Sequence, residues 1–129
     1  MLLMHGSQTI DAPPIHTWTL ADIAAHIQFM HDTNAKLVAE GEFVEAQGLA
    51  GPDDAKVVRA GRTGTPEVTD GPFPESKEFL AGYWVLDVES EDRAIEVAAT
   101  VSLAPGPGGA PLHLPIEVRQ IMSAPSADA

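Results

Sequence analysis

Two side chains in this sequence are placed to move a proton. His31 lies in an amphipathic stretch, about 60° from the centre of its apolar arc on a helix of roughly 100° per residue. It is expected to face the sheet beneath, or a cavity beside it. With an ordinary pKa near about 6.5, a histidine there serves as general base or acid, or as a core-edge ring bonded to backbone. Asp70 stands where a strand breaks into Gly71-Pro72. Its carboxylate can accept the Phe73 N–H and tie the turn, because Pro72 has none to offer. At a strand end beside a pocket it can instead orient a histidine or hold a polar substrate. Phe73 reads as a plug for the core or a dimer contact, or as a ring that stacks on a ligand. Glu75, Lys77 and Glu78 are partners for the same site, or solvated charges on a helical turn. His113 and Arg119 fall at a pocket rim or on an exposed strand.

Other constellations are weaker. His26 follows Asp22 by four residues and can pair with it along a helix surface. His26 and His31 point about 140° apart at that pitch, too far for joint ligation of a metal. His5 and His16 approach only by chance of folding, so no metal site is expected. No serine, histidine and acid share a recognisable spacing. Gly106-Pro107-Gly108-Gly109 is no phosphate loop, since proline lacks an N–H and no lysine follows. It reads as a connector or pocket lid, and no cofactor is expected.

Composition narrows the field further. Nineteen acidic against seven basic residues give a formal charge of −12. Such a surface repels phosphate backbones and anionic lipid, so neither nucleic acid nor membrane is an expected partner. The 129 residues suffice for one core, and with 44% hydrophobic residues the chain is of ordinary globular composition. There is no cysteine, which removes disulfides and thiolate chemistry and suits a reducing compartment. The opening MLLMHG is apolar for only four residues and lacks a basic leader. No signal peptide and no membrane span are expected, and the location is read as cytoplasmic.

The elements that must position these residues follow from pattern. Met1 to His5 reads as a strand. Thr19 with Asp22 makes a capping box, Trp18 with Ile23 its staple, and Leu20, Ile23, Ala24, Ile27, Met30, Leu37 and Val38 recur at helical spacing until Gly41. A strand at 43–49, a hairpin of 55–60 with 66–69 and a helical turn or two at 74–80 come next. Residues 81–88 form the strongest strand, apolar on both faces and therefore central. Ser90 caps a second helix whose apolar side is Ile95, Ala98, Ala99 and Val101. Residues 114–122 form a last strand, and 123–129 a tail beyond a single domain at 1–122. This order predicts an α+β, ferredoxin-like antiparallel sheet with two main helices on one face. The other face is too apolar for water, and a homodimer stacking two sheets would cover it.

The run Val68-Thr69-Asp70-Gly71-Pro72-Phe73-Pro74-Glu75-Ser76-Lys77-Glu78 closely resembles the signature of the DGPF group within the YCII-related family. The resemblance extends to Asn34–Gly41, Ala81–Val88, Ala94–Glu96 and Ile116–Met122. It implies a ferredoxin-like fold that dimerises into an α+β barrel. Some relatives in the wider family are proposed or known to act on small molecules through a His–Asp pair, with the histidine on the first helix near the position of His31. Their aspartate lies near the second helix, where this chain offers Glu91, Asp92 and Glu96 instead.

Two functions are consistent with these residues. One is a small-molecule enzyme or ligand-binding barrel, with a pocket between the sheet and the first helix and with His31 and Asp70 transferring a proton. The other is a non-catalytic dimeric module for protein interaction or regulation.

Overall fold

The computed structural model describes residues 1–7, 13–71 and 78–122. Helix α1 (Leu20–Ala39) starts where Thr19 Oγ1 accepts the Asp22 N–H at 3.1 Å. It ends in a left-handed Gly41 (φ +73°), with the Gly41 N–H donating to Val38 O and the Glu42 N–H to Leu37 O. That pair of bonds satisfies two carbonyls the helix would otherwise leave open. Trp18 lies just before the helix. Its indole N–H donates to Pro13 O, and its ring stands edge-on to His26 with centroids 5.5 Å apart.

The sheet is built from β1 (Leu2–Ser7), β2 (Phe43–Gly48), β5 (Glu78–Leu86) and β6 (Ile116–Val118). Its order is β2-β5-β1-β6, and every neighbouring pair is antiparallel. With α1 between β1 and β2, and α2 (Glu91–Ser102) between β5 and β6, this matches the ferredoxin-like plan. β5 is central, as its two apolar faces predict. It begins earlier than pattern suggests: Glu78 to Leu80 extend it, opposite Ser7 to His5, where helical turns were expected. The last strand is short, only Ile116–Val118. The hairpin of β3 (Lys56–Ala60) and β4 (Pro66–Asp70) forms a separate two-stranded sheet.

The core lies between the helices and one sheet face. Leu2, Leu37, Trp84, Ala94, Val97, Ala98 and Val101 are buried together, with Met4, Met30, Phe43, Ala46, Ile116 and Val118 packed around them. The Trp84 indole N–H donates to Asn34 Oδ1 at 2.9 Å, so the largest core residue is also tied to α1. On α2 the buried line is Ala94, Val97, Ala98 and Val101, not the expected Ile95 and Ala99, which are exposed. The buried line is turned by roughly 80° from the expected one, and its small side chains let the helix lie close on the sheet.

Candidate functional site

The structure keeps His31 and Asp70 on different units. His31 is exposed on α1, contrary to the expectation that it faces the sheet. The reason is the true contact line of α1. His26, Met30, Thr33 and Leu37 carry it, whereas Leu20, Ile27 and Val38 stand exposed on the flank that holds His31. Counting those three as core turns the apolar arc towards His31. About the line actually buried, His31 is roughly 120° away. Asp70 closes β4, and its carboxylate takes the Lys56 ammonium at 2.7 Å across the hairpin. The expected turn bond to Phe73 falls outside the described residues, as do Phe73, Glu75 and Lys77 themselves. Glu78 opens β5 opposite Ser7. Arg119 is exposed, its guanidinium 3.9 Å from Glu117, while its backbone N–H donates to Met1 O.

Two grooves lie at the helices, and neither is lined by His31 or Asp70. One of about 300 Å³ runs between α1 and α2 over Phe29, Leu37 and Val97, walled by Asp32, Lys36 and Thr100. It shares Glu40 and Arg93 with an acidic trough that holds Asp87, Glu89 and Asp92. Arg93 organises this end of the molecule. Its guanidinium grips Glu42 through Nε (3.0 Å) and Nη2 (2.9 Å), reaches Glu40 at 2.6 Å and meets Glu96 at 3.1 Å. The hydrogen bonds to Arg93 hold the Glu42 carboxyl below its usual range, and Glu42 in turn raises the Arg93 pKa.

The other concentration of polar groups is on the open face of the sheet, away from both helices. Register places Leu3 beside Tyr83 and Glu117, and Tyr83 beside Gln47. Their neighbours along each strand, Leu2, Trp84 and Val118, point into the core, so these side chains point outward. Leu3, Tyr83 and Val85 are half-buried there. The Tyr83 hydroxyl donates to Glu45 Oε1 at 3.2 Å, and burial followed by that carboxylate raises its pKa. His5 Nε2 stands 3.8 Å from Glu117 Oε2, so His5 pairs with a carboxylate rather than with His16. Sequence reasoning gave no site role to Tyr83, Glu45 or Glu117 and weighed His5 only against His16. The signal was the strand alternation: it marks the outward face as Leu3, His5, Tyr83 and Val85, and only register adds the carboxylates.

His26, expected to pair with Asp22, instead bonds Pro105 O through Nδ1 at 3.0 Å and so fastens the Pro-Gly loop to α1. His113 adopts a left-handed backbone (φ +52°) just beyond that loop and is exposed.

The YCII-related domain matches residues 11–107, a span that includes α1, the hairpin, β5 and α2. No curated protein matches the chain. No helix among the described residues is long and apolar enough to cross a membrane.

Proposed function

We propose that this chain, which belongs to the YCII-related family, works as a homodimeric α+β barrel that binds a small molecule and moves a proton on it. Two copies stack their sheets by the open faces. The composition of that face supports the reading most: half-buried Leu3, Tyr83 and Val85 with two titratable pairs, Tyr83–Glu45 and His5–Glu117. A second sheet laid over it removes apolar surface from water, at about 25 cal/mol per Å². The same cover lowers the dielectric around both pairs, which strengthens the interaction within each. A tyrosine and a histidine so placed can donate to and accept from a small polar or aromatic compound held between the sheets. His31 on α1 is exposed and Asp70 on β4 is held by Lys56, both outside this sheet face, so in this reading the proton is moved by Tyr83 and His5.

Light scattering at micromolar concentration tests the barrel. A dimer mass that falls to a monomer mass in Leu3→Glu or Val85→Glu supports it, and a monomeric parent chain removes it. A ligand found by screening should be lost in His5→Ala and Tyr83→Phe. Binding lost instead in His31→Ala and Asp70→Ala, and kept in those two, would move the site to that pair.

A second reading, the non-catalytic dimeric interaction module, is favoured by the Lys56–Asp70 ion pair, which occupies the expected catalytic carboxylate. Under it, screening finds no small molecule whose binding His5→Ala or Tyr83→Phe abolishes, while the parent chain is still a dimer.

A further inference from the structure

The β3–β4 hairpin stands apart from the main sheet, and among the described residues it packs chiefly on itself. Pairs Val58–Val68 and Ala60–Pro66 lie on one face of it, beside the Lys56–Asp70 ion pair. All four of these apolar residues are exposed, Val58 by 61% and Val68 by 56%. A two-stranded ribbon is marginal in water without a surface to cover it. Its charge is unusual too. Lys56, Arg59 and Arg62 are three of the seven basic residues in a chain of net charge −12. Lys56 is taken by Asp70 and Arg59 faces Glu67 in register, while Arg62 sits exposed in the tip.

The surface complementary to this arm is the α1–α2 groove. Its floor is apolar (Phe29, Leu37, Val97), and it opens into the trough of Asp87, Glu89 and Asp92. The cations in its walls are Lys36 and Arg93, and Arg93 is already held by three carboxylates. An apolar ribbon with a basic tip therefore faces an apolar groove with an acidic end.

We propose that the β3–β4 arm of one copy docks in the α1–α2 groove of a second copy. Val58 and Val68 cover the apolar floor and Arg62 enters the acidic trough. The inference rests on the homo-oligomer proposed above and adds a second contact to it. Apolar burial supplies the attraction, and charge of opposite sign sets the register and rejects other surfaces.

The absence of cysteine makes the test direct. Chains carrying Val68→Cys are mixed with differently tagged chains carrying Thr100→Cys, at the groove wall, and oxidised. The mixed disulfide should exceed that of a control mixture of Val68→Cys with Ala24→Cys, exposed on the flank of α1 away from the groove, by about tenfold, roughly the ratio that 1.4 kcal/mol of preferential docking gives. Arg62→Glu and the Glu89→Arg/Asp92→Arg pair should each reduce it, and combining them in one chain should restore it. A parallel Leu3→Cys chain reports the stacked sheets by linking to itself. Leu3 cross-links without a Val68–Thr100 product overturn the arm and leave the barrel standing. A monomer mass for the parent chain overturns both. A mixed disulfide that charge reversal leaves unchanged overturns the assigned register.

Discussion

Tyr83 is the one tyrosine of the chain, so its ionisation can be read without assignment. Burial and the Glu45 carboxylate both disfavour the phenolate, so the phenolate absorbance of the folded protein is expected to rise at a midpoint above 10.0. The sign for stability follows. The contribution of the neutral hydroxyl is complete below the unfolded pKa and is lost as pH climbs through the folded one. Glu45→Gln should lower the midpoint, and an unchanged midpoint would mean that burial alone sets it. In the core, Trp84 and Asn34 form a second pair open to test. Asn34→Ala leaves a buried indole N–H without its partner and is expected to cost about 1–3 kcal/mol in urea unfolding. In a Trp84→Phe background the same change should cost clearly less, which separates the hydrogen bond from the helix position.

At the scale of elements, one guanidinium joins three of them. Arg93 on α2 binds Glu40 at the end of α1, Glu42 just before β2 and Glu96 a turn further along its own helix. Because Glu42 has a depressed folded pKa, its contribution is present above the usual 4.5 and disappears as pH falls through the folded value. Glu42→Gln is therefore expected to lower the urea midpoint at neutral pH and to flatten the loss of stability in acid. Equal acid sensitivity of variant and parent would assign that loss to other carboxylates. The start of α2 has an independent handle. Ser90 Oγ accepts the Arg93 N–H at 3.2 Å, and Ser90→Ala should destabilise by about 1 kcal/mol, with Ser90→Asn restoring most of it. Both helices were legible as elements, from Thr19, Gly41 and Ser90. Their orientation was not, because each carries more apolar residues than its contact line uses. On α1 the surplus is Leu20, Ile27 and Val38, and on α2 it is Ile95. Periodicity averages over all of them, and the sheet chooses a subset.

At the scale of the molecule, the open sheet face and the hairpin are apolar surfaces left without a cover among the described residues. The proposed barrel and the docked arm each cover one of them by a second copy of the chain. The two contacts differ in their response to salt. Sheet stacking is mainly apolar and should be little altered between low and high ionic strength. The arm should loosen as ions screen Arg62 from the trough, with a Debye length near about 8 Å at physiological salt. Sedimentation across a salt series reads both: a dimer that persists while the Val68–Thr100 cross-link declines is the expected pattern.

Capping residues, strand alternation and the left-handed glycine are local signals, so sequence by itself determined the order of elements, the central place of β5 and the ferredoxin-like plan. The motif around Asp70 likewise pointed to the family, because it is a contiguous run. What only the tertiary structure decided is which groups meet. Lys56 took Asp70 through hairpin register, and the turn of α1 on the sheet carried His31 outward. Register across β1, β5, β2 and β6 brought His5 to Glu117 and Tyr83 to Glu45, residues far apart in sequence with no shared pattern. Side-chain chemistry depends on distances of a few ångströms between remote segments, and those are fixed by packing rather than by spacing along the chain.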